Sequence, residues 1–257
     1  MKFGLSSLIY ERELRGKLKS GRNVKKLYID HINRTIKVAA KNDLRIIEIC
    51  IIPNSSKILF SVLSEIKEKI KVFDEVTFHL PWKGRSTDEI KDCIKFANSL
   101  DIKILVCHPI LIDPLIYGKI IEIEDDIGDL ISLCRKQGSM LCFENLPAEV
   151  PKFNRSDEFD NLIEKGGFLT LDTGHAITCG INPITFVNKF KDKIKHIHLQ
   201  DGFKGRPDVH YAVGNGELDY ITFLNKLEEM NYKEIVMLEL VSEKDLTESI
   251  TRLREFI

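Results

Sequence analysis

The chain has 257 residues and carries 38 Lys and Arg against 39 Asp and Glu, which gives a net charge of −1. That length can bury a large core and is usual for one closed α/β barrel, whereas the balanced charge argues against general polycationic binding of nucleic acid without excluding a local basic patch. No run is long and apolar enough to cross a bilayer, and the first ten residues lack the features of a signal peptide. We therefore expect a soluble, cytoplasmic protein.

Apolar runs alternate with amphipathic stretches from one end of the chain to the other. Eight short, β-branched runs predict parallel strands that are buried on both faces: Lys2–Ser6, Arg45–Cys50, Glu75–His79, Lys103–His108, Met140–Glu144, Phe168–Asp172, Ile194–Leu199 and Ile235–Leu240. Helical patterns follow them: Val24–Lys41, Lys57–Val72, Asp88–Leu100, Asp125–Gly138, Asp157–Lys165, Pro183–Lys193, Tyr220–Met230 and Lys244–Phe256. This order predicts a single (β/α)8 TIM barrel over residues 1–257, with its active site at the C-terminal ends of the strands.

Local signals support these boundaries. Ser86 with Glu89 three residues later is typical of a capping box, and Asn182 before Pro183 is typical of a helix start. An open doubly wound sheet is the alternative fold, but no Gly-rich phosphate-binding sequence follows the first strand. The six cysteines form no Cys-x-x-Cys pair, so we expect reduced core thiols.

Acids and imidazoles end the later predicted strands. Glu144, Asp172, His198 and Glu239 end the last four strands, which are neighbours around one side of a barrel mouth. Nitrogen and oxygen donors of this kind bind divalent cations, so the four residues predict a metal site. Further candidate ligands come from two other strand ends and from two short-range pairs: His79, His108, Asp172-x-x-His175 and Asp208-x-His210.

These residues resemble the metal-binding set of the endonuclease IV family (AP endonuclease family 2), within the xylose isomerase-like TIM barrel superfamily. The resemblance implies a site for up to three zinc ions in three groups: His79 and His108 with a bridging Glu144; Asp172, His198 and Glu239; and His175, Asp208 and His210. The most specific pieces are Leu171–Ala176 and the Asp-x-His that precedes Gly214-Asn215-Gly216. Two positions depart from the family pattern, since Gly174 stands where a cysteine is common and Ile110 follows His108-Pro109.

Other residues are candidates for contacts with substrate. Trp82, Lys83 and Arg85 follow His79 in a loop that could wedge into a duplex or cover a small sugar. Lys204 and Arg206 add positive charge after His198. The segment Glu11–Lys26 is a candidate phosphate-facing loop or a solvated surface; its cations are Arg12, Arg15, Lys17, Lys19, Arg22, Lys25 and Lys26.

Three residues fall outside the ligand pattern. Glu48, in the second strand, is expected to reach a substrate hydroxyl or to pair with a cation. His31 is expected at the surface of a helix. His196 alternates with His198 and should face the same side, where it could orient a ligand.

Two functions remain open at this stage. The first is a metal-dependent hydrolase that cleaves a phosphodiester, such as DNA 5′ of an abasic site during DNA repair, which the resemblance implies. The second is a sugar or sugar-phosphate isomerase or epimerase that uses one manganese or magnesium ion, with Glu144 and Glu239 moving protons on opposite faces of the substrate.

Overall fold

The computed structural model describes residues 1–18, 23–116 and 118–257, apart from the side chains of Arg12 and Leu18. Eight parallel strands close into a barrel in the order β1-β10-β9-β8-β7-β4-β3-β2. The barrel strands are β1 (Lys2–Ser6), β2 (Ile46–Cys50), β3 (Glu75–His79), β4 (Ile104–Cys107), β7 (Met140–Glu144), β8 (Phe168–Asp172), β9 (Ile194–Leu199) and β10 (Ile235–Leu238). All eight predicted strands are present, and the predicted TIM barrel is confirmed.

Helices alternate with these strands and cover the outside of the barrel. They are α1 (Glu11–Leu18), α2 (Val24–Lys41), α3 (Ser56–Ile70), α4 (Asp88–Ser99), α5 (Glu124–Lys136), α6 (Asp160–Glu164), α7 (Thr173–Thr178), α8 (Ile184–Phe190), α9 (Tyr220–Glu229) and α10 (Glu243–Arg252). Short 3-10 turns precede α1 and α6, at Ser7–Tyr10 and Ser156–Phe159. Within the described residues, no helix is both long and apolar enough to span a membrane.

Two apolar clusters hold the barrel together. The large one lies between the outer face of the strands and the helices, and includes the fully buried Phe78, Phe143 and Phe186. The small one occupies the other face of the strands and consists of Ile46, Ile104, Cys142, Ile235 and Met237. Because side chains alternate between the two faces of a strand, residues two positions after Ile46, Cys142 and Met237 also point into the barrel. Those residues are Glu48, Glu144 and Glu239, so the alternation places carboxylates directly above an apolar floor.

The structure adds elements that the sequence pattern did not predict. The segment Glu11–Lys26 is not a loop as expected: it contains α1 and the start of α2, and its residues 19–22, which include Lys19 and Arg22, lie outside the described residues. An antiparallel hairpin, β5 (Ile110–Ile112) and β6 (Ile120–Glu122), is inserted after β4. The helix α1 and the hairpin both reach the mouth of the barrel, where Arg15 and Ile112 line the same cavity.

The local predictions had mixed outcomes. Asn182 caps the start of the helix as expected, since its Oδ1 accepts from the backbone N–H of Ile184 at 2.9 Å. The capping box at Ser86 does not form, because Glu89 instead accepts from the backbone of Asn54 and Ser56 on the preceding loop and helix. All six cysteines are free, and five of them are buried, as predicted for core thiols.

His31 is a correction to the sequence analysis. It lies on α2 but is buried rather than exposed, with its ring centroid 6.4 Å from that of Tyr10. Its Nδ1 has no hydrogen-bond partner. Burial, aided by the charge of Arg34, lowers the pKa of His31 from 6.5 to about 4. The folded protein therefore holds this imidazole in its neutral form at neutral pH.

We predict that His31 makes the protein less stable as the pH falls from about 6.5 to 4. In that range the unfolded chain takes up a proton at His31 and the folded chain does not, so the free energy of unfolding drops. A shift from 6.5 to about 4 corresponds to a loss of up to about 3 kcal/mol. Replacement by a neutral ring, His31→Phe, should remove this loss. Urea denaturation across the pH range measures it, with the exposed Lys37→Gln on α2 as control. The prediction would be contradicted if the difference in free energy of unfolding between the wild type and His31→Phe did not change with pH.

Candidate metal centre

The predicted ligands meet at the C-terminal mouth of the barrel. Each of β3, β7 and β8 ends on one of them, His79, Glu144 and Asp172, and His198 is the fifth residue of β9. His108 and Glu239 follow directly after β4 and β10. Because parallel strands in a barrel end on one rim, residues that are far apart in sequence come into contact there.

Glu144 lies at the centre of the cluster. Its Oε1 is 2.7 Å from Nδ1 of His198, and its Oε2 is 3.1 Å from Nε2 of both His79 and His108. One carboxylate therefore contacts imidazoles on two sides. This is the arrangement expected of a carboxylate that would be shared between two cations.

A second group of donors surrounds Nδ1 of His198. Glu239 Oε2 lies 3.2 Å from this nitrogen and Asp172 Oδ2 lies 3.8 Å from it. One donor atom from each of Glu144, Asp172, His198 and Glu239 falls within 4.8 Å of all the others. Although it is close to His198, Oε2 of Glu239 is buried and has no hydrogen-bond partner.

The third group brings His175, Asp208 and His210 together. Asp208 Oδ2 is 3.3 Å from Nε2 of His175 and 3.1 Å from Nε2 of His210. His210 also approaches the second group, with its Nδ1 3.6 Å from Glu239 Oε2. All nine residues proposed from the sequence as ligands thus lie in one contiguous, largely buried cluster.

Two amides that the sequence analysis left without a role support Asp172. Asn145 accepts from the backbone N–H of Asp172 at 2.7 Å and donates to its carbonyl at 2.9 Å. Gln200 donates from Nε2 to both carboxylate oxygens of Asp172, at 3.1 and 2.9 Å. A Cβ at Gly174 would come within 2.5 Å of Gln200. The glycine that departs from the family pattern therefore makes room for the amide that orients a candidate ligand.

Asp201 organises the loop that carries Asp208 and His210. Its carboxylate accepts from four backbone N–H groups, those of Gly202, Gly214, Gly216 and Leu218, at 2.8 to 2.9 Å. A Cβ on Gly216 would lie 2.4 Å from Oδ1 of Asp201, so only glycine fits there. The Gly-x-Gly seen in the sequence serves this buried carboxylate, and sequence spacing alone did not identify Asp201.

The charges in the cluster displace its pKa values in opposite directions. Burial alone would raise the pKa of Glu144, but the imidazoles of His198, His108 and His79 hold it well below its usual range. Burial raises the pKa of Glu239 to about 8, and the charges of Glu144 and Asp172 add to that increase. Burial would lower the pKa values of His79 and His210, yet the adjacent carboxylates raise them to about 9.

This donor set fits a divalent cation. It consists of imidazole nitrogens and carboxylate oxygens, the ligands of zinc, manganese and iron. Oε2 of Glu239 has no hydrogen-bond partner, and burial, followed by the charges of Glu144 and Asp172, raises the pKa of its carboxyl, so a bound cation would compensate a desolvated acid there. Buried His, Asp and Glu clusters in this protein could therefore bind a divalent metal.

A cavity of about 400 Å³ opens above the cluster. Ligand side chains form its floor, and its wall is mostly apolar: Leu8, Trp82, Ile112, Leu146, Pro147, Val150 and Val241. Arg15 is the one lysine or arginine among the described residues of this wall, and its Nε donates to Glu11 at 2.7 Å. The Arg15 guanidinium stacks over Trp82, with its carbon 4.8 Å from the ring centroid.

Of the described residues proposed for substrate contact, Trp82 and, from the Glu11–Lys26 segment, Glu11 and Arg15 line this cavity, whereas Lys83, Arg85, Lys204, Arg206 and Glu48 do not. Arg85 is exposed, and its Nε lies 3.1 Å from Oδ2 of Asp113. Lys83 pairs with Ile112 through its backbone, in an isolated parallel β-bridge. The remaining two cations, Lys204 and Arg206, are exposed on the loop after β9. Glu48 is fully buried beneath the cluster rather than in the cavity wall.

The family model described as the xylose isomerase-like TIM barrel matches residues 72–256. The chain belongs to this family. The recognition made from the nine strand-end and loop residues is therefore confirmed.

Relatives of this chain carry different names. An uncharacterized protein of Methanocaldococcus jannaschii is 26% identical over an alignment of 219 residues, and the match covers 76% of this chain and 73% of that protein. An inosose dehydratase of Clostridium beijerinckii is 31% identical over an alignment of 104 residues, and the match covers only 33% of this chain and 35% of that enzyme.

Several solved structures align along nearly the whole chain. A D-tagatose 3-epimerase-like protein has a TM-score of 0.68 at 22% identity and covers 99% of this chain and 96% of its own. D-psicose 3-epimerase from Clostridium cellulolyticum has a TM-score of 0.69 at 15% identity, covering 99% and 98%. An AP endonuclease of family 2 from Brucella melitensis has a TM-score of 0.68 at 12% identity, also covering 99% and 98%. At such identities the likeness shows the fold alone.

We predict that Glu239→Gln weakens divalent metal binding without destabilising the metal-free protein. The neutral amide removes a carboxyl whose pKa is raised to about 8 and whose Oε2 has no partner, so the free energy of unfolding should stay unchanged or rise. Loss of one ligand should raise the Kd for Mn²⁺ or Zn²⁺ at least about 10-fold. Thermal unfolding with a chelator measures the first effect and titration calorimetry the second. Glu229→Gln, at an exposed position, is the control. A Glu239→Gln protein that binds metal as tightly as the wild type would contradict the prediction.

Proposed function

We propose that this protein is a divalent-metal-dependent enzyme that isomerises or epimerises a small sugar or polyol ketone. The observation that carries the proposal is the position of Glu144 and Glu239. The two carboxylates approach His198 Nδ1 at 2.7 and 3.2 Å, at the floor of a cavity of about 400 Å³. That volume is in the range of small-molecule sites.

In this proposal Glu144, Asp172, His198 and Glu239 hold the metal ion. The bound ion would act as a Lewis acid that polarises the carbonyl and hydroxyl oxygens of the substrate. Glu144 and Glu239 move the proton on the carbon next to the carbonyl: one removes it from one face, and the other returns a proton to the adjacent carbon or to the opposite face. Asn145 and Gln200 keep Asp172 in place, and Trp82 covers the sugar.

The comparisons support this reading better than the hydrolase that the sequence resemblance favoured. Epimerases and an inosose dehydratase are among the relatives and structural neighbours by name. The cavity wall also favours an isomerase or epimerase over a DNA hydrolase. Its described part contains one arginine, and that arginine already binds Glu11. A duplex-binding surface would instead present several free cations to phosphates.

A phosphodiester hydrolase is a second candidate, and one observation favours it. His79 and His108 share one oxygen of Glu144, and His175 and His210 share one oxygen of Asp208. These two additional donor groups would allow up to three zinc ions, more than the proton transfers of an isomerase require. Abasic DNA would then be the substrate.

Exchange of substrate hydrogen with deuterated water tests the first proposal without knowledge of the product. Fully metallated protein is incubated in D2O with pentuloses, hexuloses, their phosphates and cyclic polyol ketones, and NMR records deuterium at carbons next to the carbonyl. We expect exchange with at least one compound, reduced about 100-fold or more in Glu144→Gln and in Glu239→Gln. The exposed Glu229→Gln should exchange at the wild-type rate.

The same preparations distinguish the two candidates. Elemental analysis gives the metal content, and an abasic duplex reports nicking. One metal ion per chain with deuterium exchange supports the isomerase or epimerase. Three zinc ions with nicking that Glu144→Gln abolishes, and no exchange on any compound, would overturn it in favour of the hydrolase.

A further inference from the structure

Glu48 is a buried carboxylate that the proposed chemistry leaves without a role. It lies on β2, is fully inaccessible to solvent, and sits in the barrel interior below the metal-ligand cluster. Its Oε2 is 3.2 Å from Nε2 of His198 and 3.5 Å from Nε2 of His196, while its Oε1 has no hydrogen-bond partner. An ionised group at such a depth is retained only where a partner compensates it.

His198 connects Glu48 to the ligand cluster. Its Nδ1 faces Glu144, Glu239 and Asp172, and its Nε2 faces Glu48 on the opposite edge of the ring. A histidine binds a metal as neutral imidazole, with a lone pair on one nitrogen and the proton on the other. Nδ1 of His198 is the nitrogen that lies 2.7 to 3.8 Å from Glu144, Asp172 and Glu239, the ligands proposed from the sequence, whereas Nε2 lies 3.2 Å from Glu48. Its proton must then reside on Nε2, where Glu48 accepts it.

We propose that Glu48 is a positioning residue that fixes the tautomer and orientation of His198 for metal binding. The Nε2–H group of His198 donates to Oε2 of Glu48, which leaves the Nδ1 lone pair directed at the cation. The negative charge of Glu48 also makes the imidazole a better donor, as carboxylates behind metal-bound histidines do. The inference rests on the metal centre of the proposed function and is independent of which substrate that centre acts on.

His196 completes this arrangement from below. It is fully buried, its ring centroid is 4.9 Å from that of His198 at 85°, and neither of its nitrogens has a hydrogen-bond partner. The two rings lie on the same face of β9, as the sequence alternation predicted. His196 thus packs against His198 and approaches the same oxygen of Glu48, at 3.5 Å.

Metal affinity of Glu48 variants tests the proposal. Metal-free protein is titrated with Mn²⁺ and Zn²⁺ against a chromophoric chelator. Glu48→Gln should raise the Kd about 10-fold to 100-fold, as loss of a carboxylate behind a ligand histidine does. Long-range ¹H–¹⁵N NMR of zinc-loaded, histidine-labelled protein gives an independent readout. The wild type should show His198 protonated at Nε2 only, and Glu48→Gln should weaken that preference.

Thr77→Val is the matched control. Thr77 pairs with Glu48 in the register of β2 and β3, is equally buried, and its hydroxyl has no partner. It should bind metal like the wild type. Glu48→Asp keeps the charge, so its Kd for metal should fall between those of the wild type and Glu48→Gln. This variant can still be measured if Glu48→Gln folds poorly. Kd values for both Glu48 variants within about threefold of Thr77→Val, or an unchanged His198 tautomer, would overturn the proposal. Because no sugar is used, failure here leaves the isomerase test unaffected.

Discussion

The alternation of side chains along strands that close into a barrel is the constraint on which the site depends. In each strand every second residue points inward, and the eight strands share one axis. Polar residues placed at the last inward position of several strands must therefore meet. Glu144 shows the consequence, because it touches His79 and His108 from β3 and β4 on one side and His198 from β9 on the other. The apolar cluster two residues below, with Ile46 and Met237, closes the barrel interior against water.

This concentration of acids and imidazoles opposes stability and is tolerated because of what it can bind. Each carboxylate is desolvated, and the raised pKa of Glu239 records that the group is held more readily as a neutral acid. Neighbouring residues limit the cost. Gln200 donates a hydrogen bond to the carboxylate of Asp172, and Asn145 accepts one from its backbone N–H. His198 contacts Glu48 and so connects it to the cluster of candidate ligands. A divalent cation would supply the missing positive charge, so stability and metal affinity are coupled at this rim.

Sequence reasoning reached the barrel and the strand-end positions of the candidate ligands because both depend on short-range periodicity. A residue that ends an apolar strand can be located without knowing its partners, and this held for Glu144, Asp172 and Glu239. Residues that act through contacts distant in sequence were not predictable. Gln200 matters only because Gly174 leaves space beside it, and Asp201 only because four backbone N–H groups from later in the chain converge on it. His31 was misplaced for a related reason, since one polar residue in a helix does not reveal which neighbours cover it.

The selection of substrate depends on the wall above the metal centre rather than on the centre itself. One fold can carry unrelated chemistries, so the barrel and its candidate ligands do not by themselves separate a hydrolase from an isomerase. The wall is built from segments outside the repeating barrel: α1 contributes Arg15, the β3 loop contributes Trp82, and the inserted hairpin contributes Ile112. Arg15 binds both Glu11 and the face of Trp82, so the charge of the one cation in the described part of the wall is already compensated. A mostly apolar wall favours the carbon face of a compact polyol, which can stack on an indole while its oxygens reach the floor. A polyanionic duplex would gain little from the described part of this wall, and this difference in chemistry favours the proposed sugar over DNA.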